Sequence, residues 1–193
     1  MSSSISPVNI TAAALIIQFS LVLIFTFGAI FIRAEGQHYI FKDPTSGGFW
    51  GIILGFALVT IGLLFFSDEF SNVWKPLFGE IYFGGINWST ALLLIFTLDI
   101  VWVSVMVGMT GGSTVSAFSP IYFMLPALAI FLRESLSRII FYLLLVIILF
   151  TWNFLFKGRY YGEDRNFPGL AHWIVSIASL VLTTFIGYVT RPR

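Results

Sequence analysis

The 193-residue chain contains no cysteine, only two histidines and little charge: aspartate, glutamate, lysine and arginine together make up 10% of it. The missing thiols exclude disulfides, thiolate metal sites and cysteine nucleophiles. His38 and His172 alone cannot furnish a structural zinc site, so no metal ligands are assigned. A formal net charge of +1, with no basic tract, gives nucleic acid no electrostatic footprint. No nucleophilic triad, phosphate-cradling loop or pair of catalytic carboxylates can be assembled, and the expectation is a protein without enzymatic activity. An ordinary soluble domain carries about 25% charged residues. A chain this poor in charge, with a mean hydropathy of +0.96, belongs to another class.

What the chain has instead is apolar length. Hydrophobic residues make up 58% of it, and a lipid-spanning helix needs roughly 20 apolar residues in a row. Stretches of about that length run over 11–32, 49–66, 88–109, 114–132, 139–156 and 170–189. They predict an all-α integral membrane protein, a six-transmembrane-helix bundle forming a single domain over 1–193, with the lipid bilayer as its first partner. The connections 33–48 and 67–87 are too short to hold a core of their own. The N-terminal residues lack the positive charge of a signal peptide, so the first helix reads as retained. With six spans both termini face one side. Charge does not say which: Lys75, Arg133, Arg138, Arg191 and Arg193 would share that side, against Arg33, Lys42, Lys157, Arg159 and Arg165 on the other.

One acid interrupts the apolar interior. Asp99 falls at the middle of the third span, where an ionised carboxylate is most costly, and an ionisable residue at that depth is a functional-site hypothesis by default. No lysine, arginine or histidine falls at its depth, which favours a protonated carboxyl. Gln18 in the first span, Thr97 and Ser104 on its own helix, and the backbone near Tyr122 are within reach in principle. Two readings stay open: a proton acceptor, cation site or ligand anchor, or a polar clasp between helices.

The remaining signals are local. Gly47, Gly51 and Gly55 at i, i+4, i+8 leave one helical face bare, suited to internal packing. Asn87-Trp88-Ser89 matches the glycosylation pattern, but at a span's edge it reads as chance. Ser119 can cap a helix that has Pro120 in its first position and runs past Arg133. Pro126 then lies inside that helix, withholds one backbone bond from the carbonyl of Tyr122 and kinks it. Glu134 and Arg138 can pair at i, i+4 if the helix continues, and otherwise belong to a solvated turn. Trp74, Phe78, Tyr82 and Phe83 suggest a short segment lying on the membrane.

An uncharged junction rich in glycine and hydroxyls, Thr110-Gly111-Gly112-Ser113-Thr114-Val115-Ser116-Ala117-Phe118-Ser119-Pro120, joins the third and fourth spans. It leads into a helix N-terminus, whose free N–H groups can hold a carbonyl or an anionic group. As plain chain it is a flexible turn. Thr110-Gly111-Gly112, then Ser116-Ala117-Phe118 and an apolar run with Pro126, resembles the outer loop of the six-helix membrane input domains of bacterial histidine kinases, including the RegB-like redox sensors. That loop has the form T-G-G-x-x-[N/S]-P-F. In this chain the stretch between Gly112 and Phe118 is longer, and Ala117 stands at the proline position. The resemblance covers about residues 95–140. It implies a sensor domain of a bacterial inner membrane, the prokaryotic plasma membrane, with the junction outside and 133–138 and both termini cytoplasmic. For the redox members it also implies a quinone ligand.

The functional expectation is a stand-alone sensor module without the kinase part. It would serve signal transduction through a protein partner in trans or as a homo-oligomer, binding a small apolar ligand such as a quinone and no other cofactor. Its candidate ligand or ion site comprises Asp99, Gln18, Thr110, Gly111, Gly112, Phe118, Tyr122 and Pro126. Two alternatives come from other classes. One is a small proton or cation channel or carrier using Asp99. The other is a structural subunit of a membrane complex, with the Gly47, Gly51 and Gly55 face covered by another chain.

Overall fold

The computed structural model describes residues 7–34, 47–68, 86–110, 112–113, 116–157 and 167–191. Among these residues the chain is all-α, with helices α1 Pro7–Ala34, α2 Gly47–Phe65, α3 Trp88–Met109, α4 Ile121–Phe131, α5 Leu136–Lys157 and α6 Phe167–Thr190. They fall into two compact units. The first is Met1–Phe31 with Thr45–Leu98, and the second Ile32–Pro44 with Asp99–Arg193, so α3 contributes to both.

In the first unit each helix buries one stripe at helical spacing. α1 buries Ala14, Gln18, Leu21 and Phe25, and α2 buries Ile53, Ala57, Thr60 and Leu64. The Thr60 hydroxyl stays satisfied by donating to Phe56 O at 2.9 Å. α3 starts where Asn87 caps it: Asn87 Oδ1 accepts from the Ser89 N–H at 2.9 Å, and Asn87 O accepts from Thr90 and Ala91. Asn87 therefore has a structural role in starting the helix. The expected internal packing of the small-residue face is not found. At Gly51 and Gly55 an added Cβ would meet no described atom within 4 Å, because α2 turns its Ile53 and Ala57 side inward instead. The interfacial segment expected around Trp74 to Phe83 lies outside the described residues.

In the second unit α4, α5 and α6 pack against one another pairwise. α4 buries Ile121, Tyr122, Leu125, Pro126, Ala129 and Ile130. α5 presents Ile139, Tyr142, Val146, Phe150 and Asn153 inward, and α6 presents Ser176, Leu180 and Thr184. The small Gly187 lets Ile130 approach α6 closely, since a Cβ there would stand 3.4 Å from Ile130 Cδ1. The outer faces of α5 and α6 are apolar and exposed, with Ile148, Val175 and Phe185 each more than 60% accessible. Such faces suit lipid.

Among the described residues three helices, rather than the expected six, are long and apolar enough to cross a membrane: Trp88–Met109, Leu136–Leu155 and Leu170–Thr190. Among the described residues α1 and α2 carry shorter apolar runs, Ala13–Gly28 and Trp50–Phe65. The expected span 114–132 is corrected most. Residues 116–120 form turns, which leaves α4 with 11 residues, Ile121–Phe131. At 1.5 Å per residue that is about 16 Å, roughly half the hydrocarbon thickness.

The end of α4 has a definite cause. The Arg133 N–H donates to Ile130 O at 3.0 Å and the Glu134 N–H to Ala129 O at 3.0 Å, the paired bonds of a Schellman motif. The motif puts Arg133 at φ 60°, where glycine is the usual occupant, so the helix does not run past Arg133 as expected. Glu134 is not solvated either. It is buried and bonds Arg138 Nη1 at 2.9 Å across the break. A left-handed non-glycine residue costs about 1–2 kcal/mol, part of which glycine returns through its freer unfolded chain. In lipid-free detergent Arg133→Gly is expected to raise stability by about 0.5–1 kcal/mol, and Arg133→Val to lower it, by circular-dichroism unfolding. Loss of stability in the glycine variant would contradict the strain.

Candidate functional site

The second unit holds a buried set of uncharged polar side chains, positioned by the way α3 ends and α4 begins. α3 closes with the Thr110 N–H on Met106 O at 3.1 Å and the Gly112 N–H on Val107 O at 2.9 Å. Gly112 takes φ 82°, a left-handed conformation that suits a residue without Cβ. The Thr110 hydroxyl donates to Met106 O at 2.7 Å and pairs with the Ser116 hydroxyl, which also accepts from the Phe118 N–H at 3.1 Å. The Ser116 N–H returns to Gly112 O at 2.9 Å. The described residues of the junction are thus held by hydrogen bonds to one another.

The start of α4 departs from expectation. Pro120 occupies the N-cap position with no side-chain cap bond, and the Ser119 hydroxyl donates to Ser113 O at 2.9 Å instead. The N–H groups of Ile121, Tyr122 and Phe123 donate to the carbonyls of Phe118, Ser119 and Pro120 at 3.0, 3.2 and 3.1 Å. These tight i→i+3 bonds occupy the groups that an anion would need. The N–H groups that could have formed a cradle are closed by the chain's own carbonyls.

Two contacts carry the junction onto α5. Ser113 Oγ donates to Phe150 O at 2.6 Å, and the Phe150 ring meets Tyr122 edge-on at 5.7 Å. One turn further along, Asn153 Nδ2 donates to Ser104 O at 3.1 Å, Ser104 Oγ at 3.0 Å and Tyr122 Oη at 3.0 Å. The Tyr122 and Ser104 side chains are also hydrogen-bonded to each other. One amide therefore ties α5 to α3 and α4, and every member is buried. Hydroxyls and an amide can exchange hydrogen bonds with a carbonyl or hydroxyl, but they offer no charge to an ion.

Of the residues expected at the site, Thr110, Gly112, Phe118 and Tyr122 belong to this network, and Pro126 is buried inside α4 one turn beyond Tyr122. Gly111 lies outside the described residues. Gln18 is buried in the first unit. Asp99 is buried, 1% exposed, but it precedes Thr110 by eleven positions, about 16 Å along the helix axis. That separation is too long for one small ligand to bond both. Ser104, the network member on the same helix, is five positions from Asp99, about 8 Å along the axis. Ser104, expected near Asp99, bonds Asn153, and Thr97 turns back onto Leu93 O at 2.7 Å. Among the described residues no group of three or more His, Asp or Glu could hold a metal; His172 is exposed, and His38 lies outside them.

Asn153 is missing from the sequence-based site. It is nevertheless the one amide in the run 139–156, and the rule that singles out Asp99 covers polar residues of its kind too. The bond from Ser113 to Phe150 joins residues 37 apart and has no periodic signature. Interhelical hydrogen bonds in membrane proteins contribute about 0.6–2 kcal/mol each. Asn153→Ala is therefore expected to lower stability by about 1–2 kcal/mol, while the outward-facing Ile148→Ala changes it by less than about 0.5 kcal/mol. Reversible unfolding in mixed micelles checks this, and equal effects would contradict it. Comparison of the chain with protein-family models, curated proteins and solved structures finds no match.

Proposed function

We propose that the chain is an integral membrane module of the sensor input type in a bacterial plasma membrane. The helices Trp88–Met109, Leu136–Leu155 and Leu170–Thr190 cross the bilayer. Its ligand is a small, uncharged, amphipathic molecule carrying a carbonyl or hydroxyl, a quinone being the reference case, and it acts by changing how the module engages a protein partner.

The observation that carries this reading is the Asn153 amide shared between Ser104 and Tyr122. A ligand carbonyl that accepts from Nδ2 in place of Tyr122 exchanges one hydrogen bond for another, at a net difference of about 0.5–1.5 kcal/mol. The exchange frees α4 from α5 at that point, and a ligand preferring the freed arrangement shifts the population toward it. The test is titration of the full chain in nanodiscs with a short-chain benzoquinone, followed by tryptophan fluorescence. Saturable quenching is expected, with the apparent Kd changed about two- to tenfold by Tyr122→Phe. Unsaturable quenching, identical in both proteins, would contradict the reading.

Asp99 favours a second reading, passage of protons or cations, because its carboxyl is buried in the most enclosed of the three long helices. Proton flux into liposomes distinguishes the two. The sensor reading predicts equal flux for wild type and Asp99→Asn; flux that only the wild type shows would support transport.

A further inference from the structure

The end of the second unit opposite to the Thr110–Pro120 junction along α4 gathers a second set of polar groups, unrelated to the ligand network. There α4 stops at Phe131, α5 starts at Leu136 and α6 stops at Thr190. Glu134, with its side chain 6% exposed, stands between two arginines. Arg138 Nη1 bonds its Oε2 at 2.9 Å, and Arg191 Nη1 donates to its backbone oxygen at 3.2 Å. The Arg191 guanidinium also lies 4.5 Å from the centre of the Tyr188 ring. Arg133, next in the chain, is exposed and has no ion-pair partner among the described residues. Among the described residues the Glu134 carboxylate pairs with Arg138, Arg191 bonds the Glu134 backbone and Arg133 adjoins it in the chain, so three arginines gather around one carboxylate.

We propose that this cluster binds the phosphate of an anionic phospholipid through Arg133, Arg138 and Arg191. The argument for lipid is placement. α5 and α6 are long and apolar enough to cross a membrane, and the cluster sits where Leu136 begins one and Thr190 ends the other, which is the level of the headgroups once both helices span a bilayer. Within about one turn of the arginines, Leu136, Ile140, Ile186 and Val189 are 45–63% exposed, an apolar surface on which acyl chains can lie. Guanidinium groups bond phosphate in pairs of parallel hydrogen bonds. Basic sites between helices at this level recognise anionic headgroups, at about 1 kcal/mol per arginine. Gly187 assists by letting Ile130 close on α6, which keeps Arg191 within reach of Glu134. The proposal needs only that α5 and α6 cross the bilayer, and it is independent of the quinone-type ligand.

The test is native mass spectrometry of the full chain in detergent, titrated with dioleoyl phosphatidylglycerol, with dioleoyl phosphatidylcholine and with inorganic phosphate. Retention of phosphatidylglycerol over phosphatidylcholine is expected. Arg133→Gln should weaken it about fivefold, and the double variant Arg133→Gln, Arg191→Gln more strongly. Arg133 is exposed, so its variant keeps the test open should loss of Arg191 unfold the protein. Equal retention of both lipids, or an unchanged preference in Arg133→Gln, would overturn the proposal. Displacement of phosphatidylglycerol by millimolar inorganic phosphate would overturn the lipid as ligand and leave a free-phosphate site.

Discussion

An amide nitrogen packed among apolar helices must find acceptors, because leaving it unsatisfied costs several kcal/mol where water is absent. Asn153 meets that constraint only if Ser104 on α3 and Tyr122 on α4 converge on it. The requirement fixes the rotation of α5, since Asn153 shares its buried stripe with Ile139, Tyr142, Val146 and Phe150. Apolar packing alone tolerates neighbouring registers. A directional bond to two other helices does not, and the second unit owes its arrangement to it.

The shortness of α4 follows from the same logic. Eleven residues are too few for a helix to persist by itself, so α4 depends on what holds its ends. Upstream, the junction reaches α5 through Ser113 and Phe150 O. Downstream, the Schellman turn delivers Glu134 to Arg138 at the start of α5 and to Arg191 at the end of α6. Both turns use a left-handed residue, Gly112 in one and Arg133 in the other. The first costs little in a glycine. The second is strained, and it places a cation at the end of the helix where it also serves charge.

Much of the helical framework was legible. The apolar run 88–109 became α3, Trp88–Met109, because an unbroken apolar stretch begun by a capping Asn87 has no other way to satisfy its backbone in lipid. The stretch 114–132 misled because composition cannot separate a helix from a turn that is equally uncharged. There the hydroxyls of Ser113, Ser116 and Ser119 bond backbone groups and compete with helix formation. Asp99 drew attention through its charge, while Asn153, cheaper to bury and so less conspicuous, organises the network. Tyr122 and Thr110 were legible as candidates. Their partners were not, since hydrogen bonds between residues 31 and 49 apart depend on which helices pack together.

The interlock of α4 and α5 is tested most directly by a double-mutant cycle on Tyr122→Phe and Asn153→Ala, with stability measured by reversible unfolding in mixed micelles. A shared hydrogen bond predicts a coupling energy of about 0.6–1.7 kcal/mol, the range such bonds show within membrane proteins. Additive effects of the two substitutions would show that Asn153 does not hold α4 to α5 and would remove the basis of the ligand-exchange mechanism.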